Sequence, residues 1–242
     1  MRIPFSKTKL LLMLACILIP TGCVSFKNAL PAMSKSTNQL PLRSVDQHTK
    51  AEACRLTGLE LASHEKDEHA ISQLEQAKKL EPELKGVAYP LAVLYDRQGR
   101  LDAAQREYER ALLESPKNAD LRNDFGYFLY SRKNYAESKK QLEQALKLKQ
   151  THSKARINLA MTLAAEGQLE EAHAHFEAAL GPAAAHHNIG LILFKSGRKE
   201  EALAHLQQAA QIDPSLKSQS LLAALSEDTN GRSAVMPASY SE

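Results

Sequence analysis

Tryptophan is absent from the 242 residues, and valine (5) and isoleucine (8) are scarce beside alanine (35) and leucine (36). Sheets are built from β-branched and aromatic side chains, whereas alanine and leucine favour helices. The composition excludes a β or α/β fold and predicts an all-α one. Cysteine occurs three times, at Cys16, Cys23 and Cys54, too few and too scattered for a disulfide framework. Also missing are G-x-S-x-G, G-x-G-x-x-G, a Walker loop and H-E-x-x-H, and no catalytic constellation stands out. With 43% apolar and 24% charged residues, the chain has enough hydrophobic material to bury a core.

Negative charge is missing from the N-terminus, where Arg2, Lys7 and Lys9 are the only charged residues before Lys27. They account for the whole net charge of +3, because the rest of the chain carries 28 basic and 28 acidic side chains. A neutral mature chain lacks the basic footprint of a nucleic-acid or polybasic membrane binder. The three cations precede the apolar run Leu10 to Ile19, which is too short to span a bilayer comfortably and reads as a secretory signal over residues 1–22. The segment Ile19-Pro20-Thr21-Gly22-Cys23 resembles a bacterial lipobox, with Pro20 departing from its usual leucine. That resemblance implies cleavage before Cys23, acylation of its thiol and membrane anchoring, with Val24 next to it directing the protein to the outer membrane. The competing reading is a soluble secreted or periplasmic protein. Cleavage and acylation would leave Cys54 as a lone thiol, expected to act as a small apolar side chain.

Beyond residue 50 the chain repeats every 34 residues. Small side chains recur at Gly58, Ala92, Gly126, Ala160 and, after a step of 30, Gly190. A second column reads Ala70, Ala104, Ser138, Ala172 and Ala202, and a third Ala77, Ala111, Ala145, Ala179 and Ala209. Large apolar residues keep the same phase: Leu61, Tyr95, Leu129, Leu163 and Leu193, then Leu74, Tyr108, Leu142, Phe176 and Leu206. Each unit accommodates two helices of about three turns joined by a tight turn, marked by Gly99, Gly167 and Gly197. Pro82, Pro116 and Pro214 close units, and Pro90 predicts a kink or a late start in its helix.

These columns resemble the tetratricopeptide repeat family, over units 51–84, 85–118, 119–152, 153–182 and 183–216. The resemblance implies a right-handed superhelical α-solenoid, with first helices lining a concave face. Residues 23–50 read as lipid anchor and tether, 217–225 as a capping helix and 226–242 as a disordered tail. The early join Leu180-Gly181-Pro182-Ala183 predicts a bend or tightening between the fourth and fifth units.

In this family, ligand contacts come from fixed positions on the first helices. Carried over residue by residue, they fall on Arg55 and Leu59; Tyr89, Val93, Asp96 and Arg97; Asp120, Asn123, Tyr127, Tyr130 and Ser131; Lys154, Ile157 and Met161; and His187, Leu191, Phe194 and Lys195. The family's carboxylate-clamp asparagine is replaced by Leu59, Val93, Tyr127, Met161 and Leu191, so an apolar peptide or helix is the expected ligand. The resemblance implies a non-enzymatic adaptor that needs no cofactor, as in lipoproteins of pilus assembly or those that dock cell-wall enzymes. An alternative of a different class uses His173, His175, His186 and His187 for metal binding or catalysis. Neither sequence pair can chelate an ion by itself, since His173 and His175 point about 200° apart on a helix and His186 and His187 are adjacent.

Overall fold

The computed structural model describes residues 46–214 and Leu222. The described residues form ten α-helices: α1 (Gln47–Ser63), α2 (Asp67–Leu80), α3 (Ala88–Arg97), α4 (Leu101–Glu114), α5 (Ala119–Ser131), α6 (Tyr135–Leu148), α7 (Ser153–Ala165), α8 (Leu169–Leu180), α9 (Pro182–Lys195) and α10 (Lys199–Ile212). Consecutive helices pair as α1–α2, α3–α4, α5–α6, α7–α8 and α9–α10, and each pair is one repeat unit. The proposed signal and anchor, the tether as far as residue 45 and the tail lie outside the described residues, as does the capping segment except for helical Leu222, which packs against Leu206; residues 47–50, expected to end the tether, are instead the first turn of α1.

One hydrogen bond recurs in every unit and shows why the large apolar column keeps its phase. The backbone N–H two residues past each turn's centre closes onto the carbonyl of Leu61, Tyr95, Leu129, Leu163 or Leu193 at 2.8–3.0 Å. That 6→1 bond caps the first helix and aims the second back along it. The turn requires a left-handed residue, which Gly99, Gly167 and Gly197 supply with φ of 69°, 84° and 82°. Glu65 and Lys133 hold the same shape at φ of 58° and 60°, each with a steric cost of about 1–2 kcal/mol that glycine avoids.

The boundaries follow local chemistry. α1 begins one turn before the first repeat unit and takes in residues 47–50, because Asp46 caps it by accepting from the Thr49 N–H at 2.9 Å. α3 starts late, at Ala88, so Pro90 falls in the first helical turn, where a missing N–H leaves no bond unmade. Glu170 and Glu171 open α8, and Glu200 and Glu201 open α10, at the ends where negative charge suits the helix dipole. At the early join, α8 ends at Leu180 and a single residue, Gly181 with φ of 89°, leads straight into Pro182 of α9. The shortening is therefore taken from the end of the fourth unit's second helix and from its linker.

The core runs along the array. One section gathers Ala70, Leu74, Leu91, Tyr108, Phe125 and Phe128, and the next Leu142, Leu159, Leu163, Phe176 and Ile189. Cys54 is partly buried and packs against the first section. First helices also touch one another across units, as α3–α5, α5–α7 and α7–α9. That crowding makes them the inner wall, with the second helices behind.

Candidate functional site: the inner wall

The inner wall is held together by a chain of hydrogen bonds across three units. The Tyr89 hydroxyl on α3 donates to Asp124 Oδ2 on α5. Asn123 Nδ2 donates to Asp124 Oδ1, and Asn158 Nδ2 on α7 donates to Asn123 Oδ1, both at 2.9 Å. Buried amides and a phenol are thereby satisfied, and α3, α5 and α7 are fixed in register. Burial and the bond to Asp124 raise the Tyr89 hydroxyl well above the ordinary phenol range, so it remains a donor.

Beside this chain lies a hollow of about 280 Å³ lined by Asn123, Asp124, Tyr127, Lys154, Ile157 and Asn158. Tyr127 is 47% exposed at its rim, and its ring stacks on Tyr130 at 6.2 Å, which meets Tyr135 at 5.8 Å. Asp96 is half-buried next door. Burial, followed by the Asp124 charge, holds its carboxyl above the usual carboxylate range. A cation or hydrogen-bond donor arriving here would relieve two neighbouring acids. A larger hollow of about 440 Å³ at the α1–α2 turn is lined mainly by charged side chains and shares no residue with this wall.

Sequence-derived positions divide by environment. Tyr127 and Lys154 are exposed; Tyr89, Tyr130, Met161, His187 and Phe194 are partly buried, and Lys195 is exposed at the far end of α9. Met161 and Phe194 pack on the second core section. Asn123 is 4% exposed, and both ends of its amide are engaged, so it braces the wall. Arg97 sends its guanidinium to Asp67 at 2.7 Å, and Arg55 pairs with Glu52 at 2.8 Å. Asp124 and Asn158 are wall residues that the family positions pass over. Their signal in the sequence is a polar column at the sixth place of three successive units, Asp124, Asn158 and Asn188.

The histidines group in a way no sequence pair suggests. His186 of α9 meets His205 of α10, Nδ1 to Nδ1 at 3.1 Å, and His173 of α8 lies edge-on to His186 with ring centroids 4.4 Å apart. His175 and His187 stand outside this group. Among the described residues, no three histidine, cysteine or acidic side chains are arranged to hold a metal ion.

Comparison with known proteins agrees with this architecture. Models of the tetratricopeptide repeat match residues 98–150, 129–188 and 183–216. The type IV pilus assembly protein PilF of Pseudomonas aeruginosa is 29% identical over 126 residues, covering 52% of this chain and 46% of PilF. The chain spans less than half the length of the curated relatives it matches. Among solved structures, YrrB, described as a TPR protein with an unusual peptide-binding site, superposes with a TM-score of 0.59 at 25% identity, over 72% of this chain and 91% of that one. PilW, a type IV pilus biogenesis factor, gives 0.57 at 22% identity, over 75% and 86%. Helix pairing, turn geometry and these likenesses together identify a tetratricopeptide-repeat protein with an α-solenoid fold, similar to the repeat proteins of type IV pilus assembly.

Proposed function

We propose that the chain is a non-enzymatic adaptor of the bacterial cell envelope, anchored to the periplasmic face of the outer membrane through acylated Cys23, and that it holds a protein partner on its inner wall. The observation that carries this reading is the open hollow beside Tyr127, where an exposed aromatic, an aliphatic floor at Ile157 and polar groups at Lys154 and Asp124 lie together. Rigid rings supply buried area at small entropic cost, and half-buried acids favour a donor. The occupant that fits is a peptide or helix with an apolar anchor and a neighbouring basic residue. Similarity to PilF and PilW supports a place in pilus or secretion-system assembly.

Crosslinking and pull-down from solubilised membranes tests it, comparing wild type with Tyr127→Ala plus Tyr130→Ala. Truncating both rings is expected to weaken capture of a specific partner at least about tenfold while the array stays folded, and Cys23→Ala is expected to move the protein into the soluble fraction. Unchanged capture by the folded double variant removes the inner wall from the account.

A further inference from the structure

The last helical pair is fastened by imidazoles. His186 on α9 and His205 on α10 bond through their Nδ1 atoms at 3.1 Å, an arrangement that works only while one of those nitrogens lacks a proton. His173 on α8 completes the group, with ring centroids 4.4 Å from His186 and 6.5 Å from His205. Its Nε2 is buried without a hydrogen-bond partner, and its Nδ1 lies 3.7 Å from Glu177. Three rings from three helices therefore meet where the fifth unit seats on the fourth, just past the one-residue join at Gly181.

Few charges offset them. α8 brings Glu177 towards His186, and α10 brings Glu201 towards His205, but Glu201 is already held by Arg198 at 2.5 Å. Arg156 of α7, the other helix packed on α9, acts on His175 instead. The rings do not converge as metal ligands. The ion this cluster is built to respond to is the proton.

We propose that His173, His186 and His205 form a proton-operated latch: protonation turns the Nδ1–Nδ1 bond into two facing donors and sets like charges against each other. The α9–α10 pair then loosens from α8. Because α9 carries His187, Leu191 and Phe194, opening withdraws one end of the inner wall, a consequence for partner binding that rests on the adaptor reading. The opening itself does not.

The sign follows from linkage. Burial, and then the neighbouring imidazoles, hold His186 and His205 below the ordinary imidazole value of 6.5. Burial alone does the same to His187. The unfolded segment consequently binds more protons than the folded one, so the pair's stability is complete above about 6.5 and declines as pH falls through the lowered values.

Hydrogen exchange on the full chain, corrected for intrinsic rates, measures this directly. Between pH 7.5 and 5.5, opening of α9–α10 is expected to increase about tenfold relative to α3–α6. His186→Gln with His205→Gln is expected to flatten most of that response, leaving the smaller part due to His187. An equal response along the whole array, no response, or one undiminished in the double variant overturns the latch. Should the variant fail to fold, the wild-type ring resonances decide: His186 and His205 titrating below 6.5 support the proposal, and titration at or above it refutes it.

Discussion

Replacing Phe128 by alanine is expected to lower stability by about 3–5 kcal/mol. Its side chain is fully buried, tilted against Tyr108 with ring centroids 5.3 Å apart and stacked on Phe125 at 6.1 Å, and those two rings lie 5.2 Å apart. Tyr108 belongs to α4 and the two phenylalanines to α5, so the three rings fill the joint between the second and third units. A cavity here removes the transfer free energy of the ring and leaves rigid walls that cannot collapse into the gap. In a linear array each unit is stabilised mainly by its neighbours, so the loss falls on one interface. Urea unfolding should show a lower midpoint, and probes placed in α3 and α7 should no longer report one shared transition. A loss under about 1 kcal/mol would show that the joint repacks.

The second large effect comes from a smaller change. Gly126→Ala is expected to destabilise by about 2 kcal/mol, although alanine in a helix interior ordinarily stabilises by about 1 kcal/mol over glycine. The opposing effect is steric. A Cβ at Gly126 would lie 2.6 Å from Leu142 Cγ, and the same approach occurs at Gly58 with Leu74 and at Gly190 with Leu206, both at 2.7 Å. Units two and four follow a different rule at the same register, pairing Ala92 with Tyr108 and Ala160 with Phe176. A branched Cγ lying over the first helix demands glycine, whereas a flat ring leaves room for a methyl group. Adding Leu142→Phe to Gly126→Ala should therefore restore at least half of the loss, a coupling visible in a double-mutant cycle. Additive losses would mean the alternation of glycine–leucine and alanine–aromatic pairs has no packing basis.

That alternation shows what was legible. The two columns stand in the sequence at constant spacing, because a residue in one helix meets its partner sixteen positions on, as Gly126 meets Leu142. Periodicity exposes such contacts, since every unit repeats them. The same holds for the turns, where Glu65 and Lys133 take the shape that glycine takes elsewhere because the bond to Leu61 or Leu129 imposes it. Contacts that do not repeat stayed hidden. His173, His186 and His205 occupy unrelated places in their units and meet only because the fifth unit seats tightly after Gly181. Side-chain direction was equally beyond reach: Arg97 shares a helix with the wall residues, yet its charge is spent on Asp67. The family positions give Asn123 as a contact residue, but its amide is taken up by Asp124 and Asn158, which flank it with complementary groups.

An adaptor of the proposed kind docks its partners on the face made by the first helices. Photo-crosslinking residues placed singly at Tyr127, Ile157 and Phe194 on that face, and at exposed Arg106, Lys140 and Gln208 on the second helices, test it in one experiment. One common adduct is expected from the first three positions and none from the three on the second helices. Adducts confined to Arg106, Lys140 and Gln208 would contradict it.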